Sequence, residues 1–159
     1  MKKILIVVAV FAISLWGINT YAPIHGEEKI YDSVVRLHVI ANSDSEADQT
    51  LKLAVRDAIL EKSRALIGEA VDRESAAQAL EESLDRLAAC AEAVIKANGF
   101  DYPCRVTLTE EKYPQRSYEG MCFPSGSYCS LQVKIGEHEG QNFWCVLFPS
   151  LCLDVATNA

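Results

Sequence analysis

The feature that most constrains the fold is a change of hydrophobic period early in the chain. Residues 34–40 (VVRLHVI) are rich in β-branched side chains, which predicts a strand with Arg36 and His38 on one face. After a short polar joint, apolar residues recur at helical spacing up to Ile67, and Gly68 then ends the pattern. A strand must therefore pack against an amphipathic helix.

The middle of the chain predicts a second amphipathic helix over residues 73–97. Asp72 is its expected N-terminal cap, and Asn98-Gly99 its expected end. Neither helical stretch contains proline, so both can run without a kink from that cause.

The C-terminal third alternates as a β-structure does. Strands are predicted over residues 104–109, 129–135 and 143–148, and a long loop or irregular edge over residues 112–124. Since 143–148 is apolar on both faces, we expect it centrally in the sheet or under the helices. The whole order predicts an α+β fold, with a strand, two amphipathic helices and then about three antiparallel strands, the helices packed on one face of the sheet.

The N-terminus resembles an export signal. Lys2 and Lys3 precede an uncharged run that extends to Ile18 and contains only small polar interruptions. We expect residues 1–26 to be a signal peptide or an N-terminal membrane anchor, and residues 27–159 to form a single extracytoplasmic domain. Both alternatives place the domain outside the cytoplasm, because the two lysines stay inside.

The charge of the chain argues against two kinds of partner. The chain has 15 basic and 22 acidic residues, a formal charge of −7, and removing residues 1–26 takes away only the two lysines, which gives −9. The sequence shows no basic patch, so we expect no nucleic-acid partner. An anionic membrane surface would on average repel the domain.

Six cysteines in an exported chain make disulfides permissible. Their 15 possible pairings cannot be separated by sequence, but Cys145 and Cys152 flank a predicted strand-to-turn return and are the favoured pair. Without a CxxC motif, neither a structural zinc site nor a thioredoxin-like pair is supported. We expect no metal and no cofactor.

The acidic alternation in residues 42–48 (NSDSEAD) looks like a calcium loop but does not meet its requirements. Neither possible register supplies glycine at the sixth position or glutamate at the twelfth. A helix start explains the same residues, with Ser43 and Glu46, or less closely Ser45 and Asp48, as a capping box.

His38 and the polar face of the first helix are further candidates. His38 with Asp44 or Asp48 could form part of a hydrolytic site, although the chain has no GxSxG or HExxH motif. Along the first helix, Asp48, Lys52 and Arg56 lie four residues apart, with Asp57 and Glu61 alongside, which favours a solvated face over a recognition surface.

Two long segments resemble one known family. Residues 36–61 (RLHVIANSDSEADQTLKLAVRDAILE) and residues 123–152 (FPSGSYCSLQVKIGEHEGQNFWCVLFPSLC) are similar to the N- and C-terminal signatures of stage II sporulation protein R. The resemblance implies a sporulation signalling protein, not an enzyme, that is exported from the forespore into the space between forespore and mother-cell membranes. There it would activate a membrane-embedded aspartic protease of the mother cell, which processes the pro-form of sigma-E.

The resemblance carries no catalytic residues over to this chain. It nominates the matching residues, expected to be exposed, as contacts for the protease: Arg36, His38, Asn42, Asp44, Asp48, Gln49, Lys52, Arg56 and Asp57. Phe123, Pro124, Gly126 and Tyr128 are weaker nominees. Charge reversal at Lys52 and Arg56 is expected to reduce activation and leave the fold intact. The alternative function is a secreted hydrolase that uses His38 and nearby acids.

Overall fold

The computed structural model describes residues 30–118 and 121–149 of the chain. In chain order its elements are β1 (Val35–Ile40), α1 (Glu46–Ile67), α2 (Arg73–Glu81), α3 (Leu84–Ala97), β2 (Cys104–Tyr113), β3 (Arg116–Tyr118), β4 (Met121–Phe123), β5 (Gly126–Ile135) and β6 (Asn142–Phe148).

Four strands form one mixed sheet in the order β2-β5-β1-β6. β5 pairs antiparallel with β2 and β1 pairs antiparallel with β6, whereas β1 and β5 run parallel. A parallel neighbour requires a crossover connection, and the three helices lie within it. Leu37 in β1 is in register with Leu131 on one side and Cys145 on the other.

The main hydrophobic core lies between the three helices and one face of this sheet. From β1 it takes Leu37 and Val39, and from the helices it takes residues such as Ile59, Leu80 and Leu87, all fully buried. Each such side chain contributes about 1.5–3 kcal/mol of transfer free energy. The predicted α+β architecture, with helices packed against the sheet, is confirmed.

The second helix is two helices, so its prediction as one continuous helix is wrong. Asp72 caps α2 as expected, and its carboxylate and Ser75 form a capping box. The chain leaves helical geometry at Ser83, whose φ of −116° and ψ of 9° separate α2 from α3. Buried Leu80 and Leu87 continue the apolar stripe across the break, which explains why periodicity alone does not reveal it.

β6 lies at an edge of the described sheet and not at its centre, because β1 separates it from β5. Its two apolar faces have different neighbours. Cys145 and Leu147 join the core under the helices, whereas Val146 joins a smaller cluster on the opposite face.

Where a long loop or irregular edge is predicted over residues 112–124, the described residues include strands. β2 continues to Tyr113, and β3 and β4 pair antiparallel as a separate two-stranded sheet. Among the described residues, no helix has the length and apolar character needed to cross a membrane. The predicted signal peptide or anchor at residues 1–26 lies outside the described residues.

Candidate functional site

The start of α1 is bound to the turn between β5 and β6. Asn42 uses both its backbone and its side chain, since its carbonyl accepts from Glu139 N at 3.2 Å and its Oδ1 accepts from Glu137 N at 3.0 Å. Asp44 Oδ1 accepts from Gln141 N at 2.8 Å. The two segments that resemble the family signatures are therefore in direct contact at this joint.

A buried carboxylate organises the joint from the helix side. Asp48 is only 4% exposed, and its Oδ2 accepts from Asn42 Nδ2 at 2.8 Å and from Ser43 Oγ at 2.6 Å. The Ser43 hydrogen bond is the main reason that the pKa of Asp48 is lowered, and the Asn42 bond adds to it against the opposing effect of burial. The N-cap of α1 is Ser45, which accepts from Asp48 N, so the second of the two predicted capping serines is the observed one.

Close approach across the joint requires glycine in the turn. A Cβ on Gly136 would lie 2.2 Å from Asn42 Oδ1, and Gly136 also has a positive φ of 56°. A Cβ on Gly140 would lie 2.2 Å from the carbonyl oxygen of Ser43. Real side chains do not tolerate such distances, so both glycines are needed for this contact.

The part of the polar face of α1 formed by Asp48, Lys52 and Arg56 is buried, which contradicts its prediction as a solvated face, whereas Asp57 and Glu61 beside it are exposed. Lys52 is 6% exposed and Arg56 4% exposed. Lys52 Nζ donates to Gln49 Oε1 at 2.6 Å and to the carbonyl of Gln141 at 3.2 Å, while Arg56 lies 4.9 Å from the Phe143 ring centroid. This face packs against the β5–β6 turn and the start of β6.

The burial of Lys52 and Arg56 also contradicts the expectation that charge reversal there would leave the fold intact. Burial lowers the pKa of Lys52, and neighbouring Arg56 lowers it further. Arg56 is neutralised by Asp57, whose Oδ1 lies 2.7 Å from Arg56 Nη2. A negative charge at either buried position would face carbonyl oxygens or a carboxylate, and would cost several kcal/mol.

The face of the sheet opposite the helices holds a buried arginine in an aromatic cage. Arg36 is fully buried, with its guanidinium carbon 4.0 Å from the ring centroid of Tyr113, 4.9 Å from that of Tyr128 and 5.7 Å from that of Phe123. Burial raises the pKa of Tyr128 to about 12, so its hydroxyl stays protonated and donates to the Pro124 carbonyl. Two of the weaker nominees, Phe123 and Tyr128, are therefore buried structural residues of the cage.

His38 lies beside this cage in a hydrogen-bonded network. Its Nδ1 is 2.8 Å from Glu111 Oε1, and its Nε2 is 2.7 Å from Asn142 Oδ1. Ser130 Oγ, itself fully buried, donates to the second oxygen of Glu111 at 3.0 Å. The predicted combination of His38 with Asp44 or Asp48 is wrong, since both aspartates are bound to the α1 joint instead.

Sequence reasoning missed the partners of His38 and Arg36. Glu111, Tyr113 and Asn142 come from β2 and β6, far along the chain from β1. If the predicted strand had been extended past Thr109 to Tyr113, the alternation of side chains along it would have placed Glu111 and Tyr113 on the same face. No local signal could have indicated which residues of β1 they meet.

The nominated contact residues therefore divide by exposure. Five are buried, and Asn42 and Gln49 are partly buried. Asp44 and Asp57 are exposed. The buried five are Arg36, His38, Asp48, Lys52 and Arg56. The prediction that these five residues are exposed is wrong, because they supply the packing and hydrogen bonds of the two networks.

Neither network is arranged as a metal site, and within residues 30–118 and 121–149 no three His, Cys, Asp or Glu side chains converge to hold an ion. Cys145 is engaged in a disulfide. Its predicted partner Cys152 lies outside the described residues, so that pairing stays a prediction. Cys90, Cys104, Cys122 and Cys129 are free.

Comparison with known proteins agrees with the two signature segments. Residues 31–158 match the model of the family described as stage II sporulation protein R. The chain is 32% identical over 123 residues to the stage II sporulation protein R of Bacillus subtilis (strain 168), an alignment that covers 77% of this chain. It spans 55% of the length of that relative. No solved structure matches the chain significantly. The chain therefore belongs to the stage II sporulation protein R family, and its role is in sporulation.

Proposed function

We propose that this protein is an exported intercompartmental signal that activates a membrane-embedded aspartic protease, which then processes the pro-form of sigma-E. The observation that carries the proposal is the family match over residues 31–158. The contact between the two signature segments adds to it, because it joins residues 36–61 and the β5–β6 turn in one hydrogen-bonded unit.

The proposed place of action is the space between the forespore and mother-cell membranes. The sequence pattern of Lys2, Lys3 and the apolar run after them supports export. The acidic balance of the chain supports a domain that remains off anionic membrane surfaces, except where a partner or its own N-terminal segment holds it there.

For the contact surface we favour the outer face of α1, defined here as Thr50, Leu53 and Asp57. All three are exposed, and Leu53, at 37%, is one of two large hydrophobic side chains exposed in the described part of the chain. These positions follow helical spacing within the first signature segment, so a partner could contact them together. The exposed nominee Asp44 lies just before the same helix.

The hydrolase alternative has no comparable support. Both ring nitrogens of His38 lie within hydrogen-bond distance of Glu111 and Asn142, and the aspartates expected to assist it are engaged elsewhere. We therefore put forward a single function.

The test is reconstitution in vegetative cells that make the protease and the sigma-E precursor. The full 159-residue chain should yield mature sigma-E on an immunoblot, and a variant without residues 1–26, retained in the cytoplasm, should not. Unprocessed precursor in the presence of exported, folded chain would refute the proposal.

The contact surface is tested in the same cells with a matched pair of variants. Leu53→Glu, on the outer face of α1, should reduce processing at least about tenfold, as expected for loss of an interface anchor. Val71→Glu places the same charge at the other exposed hydrophobic residue, which is 89% exposed and lies outside the helix. Cells with the Val71→Glu variant should process the sigma-E precursor to the normal extent. If folded Leu53→Glu still gives full processing, the contact with the protease lies on another surface.

A further inference from the structure

A pocket of about 380 Å³ opens at the end of the sheet where β2 begins and β5 ends. Its lining residues are Pro103, Cys104, Arg105, Lys134, Gly136 and His138. The lining contains an arginine, a lysine and a histidine but no acidic residue. In a chain of net charge −7, a pocket whose only ionisable lining groups besides the Cys104 thiol are basic runs against the overall composition.

Arg105 and Lys134 are direct cross-strand neighbours in the β2–β5 register. Like charges placed directly opposite each other destabilise a sheet. In the described part of the chain, the ion pairs join His38 to Glu111, Arg56 to Asp57, and Arg73 to Glu110, so none involves either pocket cation. The repulsion is a cost to the free protein that a bound anion would remove.

The backbone of the neighbouring turn is not available to a ligand. Gly136 N donates to the Pro103 carbonyl, Glu137 N to Asn42 Oδ1, and His138 N to the Ile135 carbonyl. Binding must therefore come from side chains. Burial raises the pKa of Cys104 to about 12, so its thiol stays neutral and brings no competing negative charge into the pocket.

We propose that this pocket binds a phosphate group, with Arg105 and Lys134 as its two cationic contacts and His138 at its rim. Two fixed positive charges match a phosphate dianion better than a singly charged carboxylate. The volume falls within the roughly 300–1,000 Å³ of typical ligand sites, which leaves room for a substituent on the phosphate. A free phosphate compound and a lipid headgroup share this chemistry. The inference is independent of the proposed protease activation.

The test is thermal unfolding of the full chain in a nonionic detergent. Saturating inorganic phosphate should raise the melting temperature by at least about 2 °C over potassium chloride of equal ionic strength. Glycerophosphoglycerol, a soluble lipid-headgroup phosphodiester, is the second probe. A shift with this diester alone assigns a lipid headgroup. A shift with inorganic phosphate assigns a phosphate group only where the Arg105→Gln Lys134→Gln double variant loses it, because phosphate also stabilises folded proteins without a binding site. A shift with neither probe, or an equal shift with chloride, overturns the proposal.

Two charge-removing variants locate the site. Arg105→Gln and Lys134→Gln should each weaken phosphate binding at least about tenfold, while the melting temperature without ligand stays the same or rises because the cross-strand repulsion is gone. If Arg105 and Lys134 had only a structural role, replacing them would instead lower the melting temperature without ligand. Lys112→Gln makes the same charge change near the other end of β2, at an exposed position, and should keep the full phosphate response. An unchanged response in the double variant would also overturn the proposal.

Discussion

The side-chain amide of Asn42 donates to Asp48 Oδ2 at 2.8 Å, and this bond links the end of β1 to the first turn of α1. The same side chain accepts from Glu137 N in the β5–β6 turn. One asparagine thus holds three elements together, which makes the joint a sensitive point for stability.

Replacing Asn42 with alanine should destabilise the protein by about 2–4 kcal/mol, because the buried Asp48 carboxylate and the Glu137 amide each lose a partner. Urea unfolding measures the change in the free energy of unfolding. Asn98→Ala, at the exposed end of α3, removes one side-chain bond to the Val94 carbonyl and should cost less than about 1 kcal/mol. Equal costs for the two variants would contradict the role of Asn42.

Gly136→Ala should destabilise more than Gly99→Ala. Both glycines have positive φ, which costs alanine about 1–2 kcal/mol, but nothing lies within 4 Å of a Cβ on Gly99. At Gly136 the Cβ also collides with Asn42, so the cost should be about 3 kcal/mol or more. Unfolding free energies of the two variants provide the comparison. Adding Asn42→Ala to Gly136→Ala should give a combined cost well below the sum of the single costs, and strict additivity would exclude the collision.

The lowered pKa of Asp48 predicts that the protein loses stability in acid. Its folded pKa is lowered, so its contribution is present above the unfolded pKa of about 3.9 and is lost as pH falls through the folded pKa. Asp48→Asn should be less stable than wild type at pH 7, and the difference should shrink below about pH 4. Unfolding measured from pH 7 to pH 2 tests this. A constant difference over that range would contradict the assignment. Asp101→Asn, an exposed change of the same kind, should match wild type at pH 7.

Arg56 should act as a core residue of the α1–β6 contact. Arg56→Ala loses the packing on Phe143 and the pair with Asp57, and should cost about 1–3 kcal/mol. Arg64→Ala, in the last turn of the same helix at an exposed position, should change stability by less than about 0.5 kcal/mol. Thermal or urea unfolding compares the two variants. Similar losses in the free energy of unfolding would argue that Arg56 is exposed in solution.

Arg36→Lys should destabilise the cage although it keeps the charge. A lysine lacks the flat guanidinium that lies over the Tyr113 ring and close to the Tyr128 ring, and we expect a loss of about 1–3 kcal/mol. Near-ultraviolet circular dichroism should also change, because these tyrosines lose their fixed environment. Arg86→Lys at an exposed position of α3 is the matched control and should leave both measurements unaltered. A stable Arg36→Lys with an unchanged spectrum would rule out the cage as a structural element.

Much of the fold could be predicted from sequence because it depends on local periodicity. The bounds of β1 and α1, the Asp72 cap and the end of α3 at Asn98-Gly99 follow from patterns within a few residues of each element. The break at Ser83 could not be predicted, since the apolar stripe runs through it and only the backbone dihedral angles of the folded chain reveal the departure from helical geometry.

For the candidate site, the sequence predicted the helix face of the polar residues but not their partners. The spacing of Asp48, Lys52 and Arg56 correctly put them on one face of α1, but the residues that bury this face, Gln141 and Phe143, arrive from about 90 positions away. Pairing of Arg36 with the aromatic rings of Tyr113 and Tyr128 likewise depends on strand order. The sequence by itself determined the type and approximate bounds of β1, α1 and the start of β2, because hydrogen bonding and hydrophobic period act over one or two turns. Only the tertiary structure decided which polar residues are buried, because burial depends on segments brought together from distant parts of the chain.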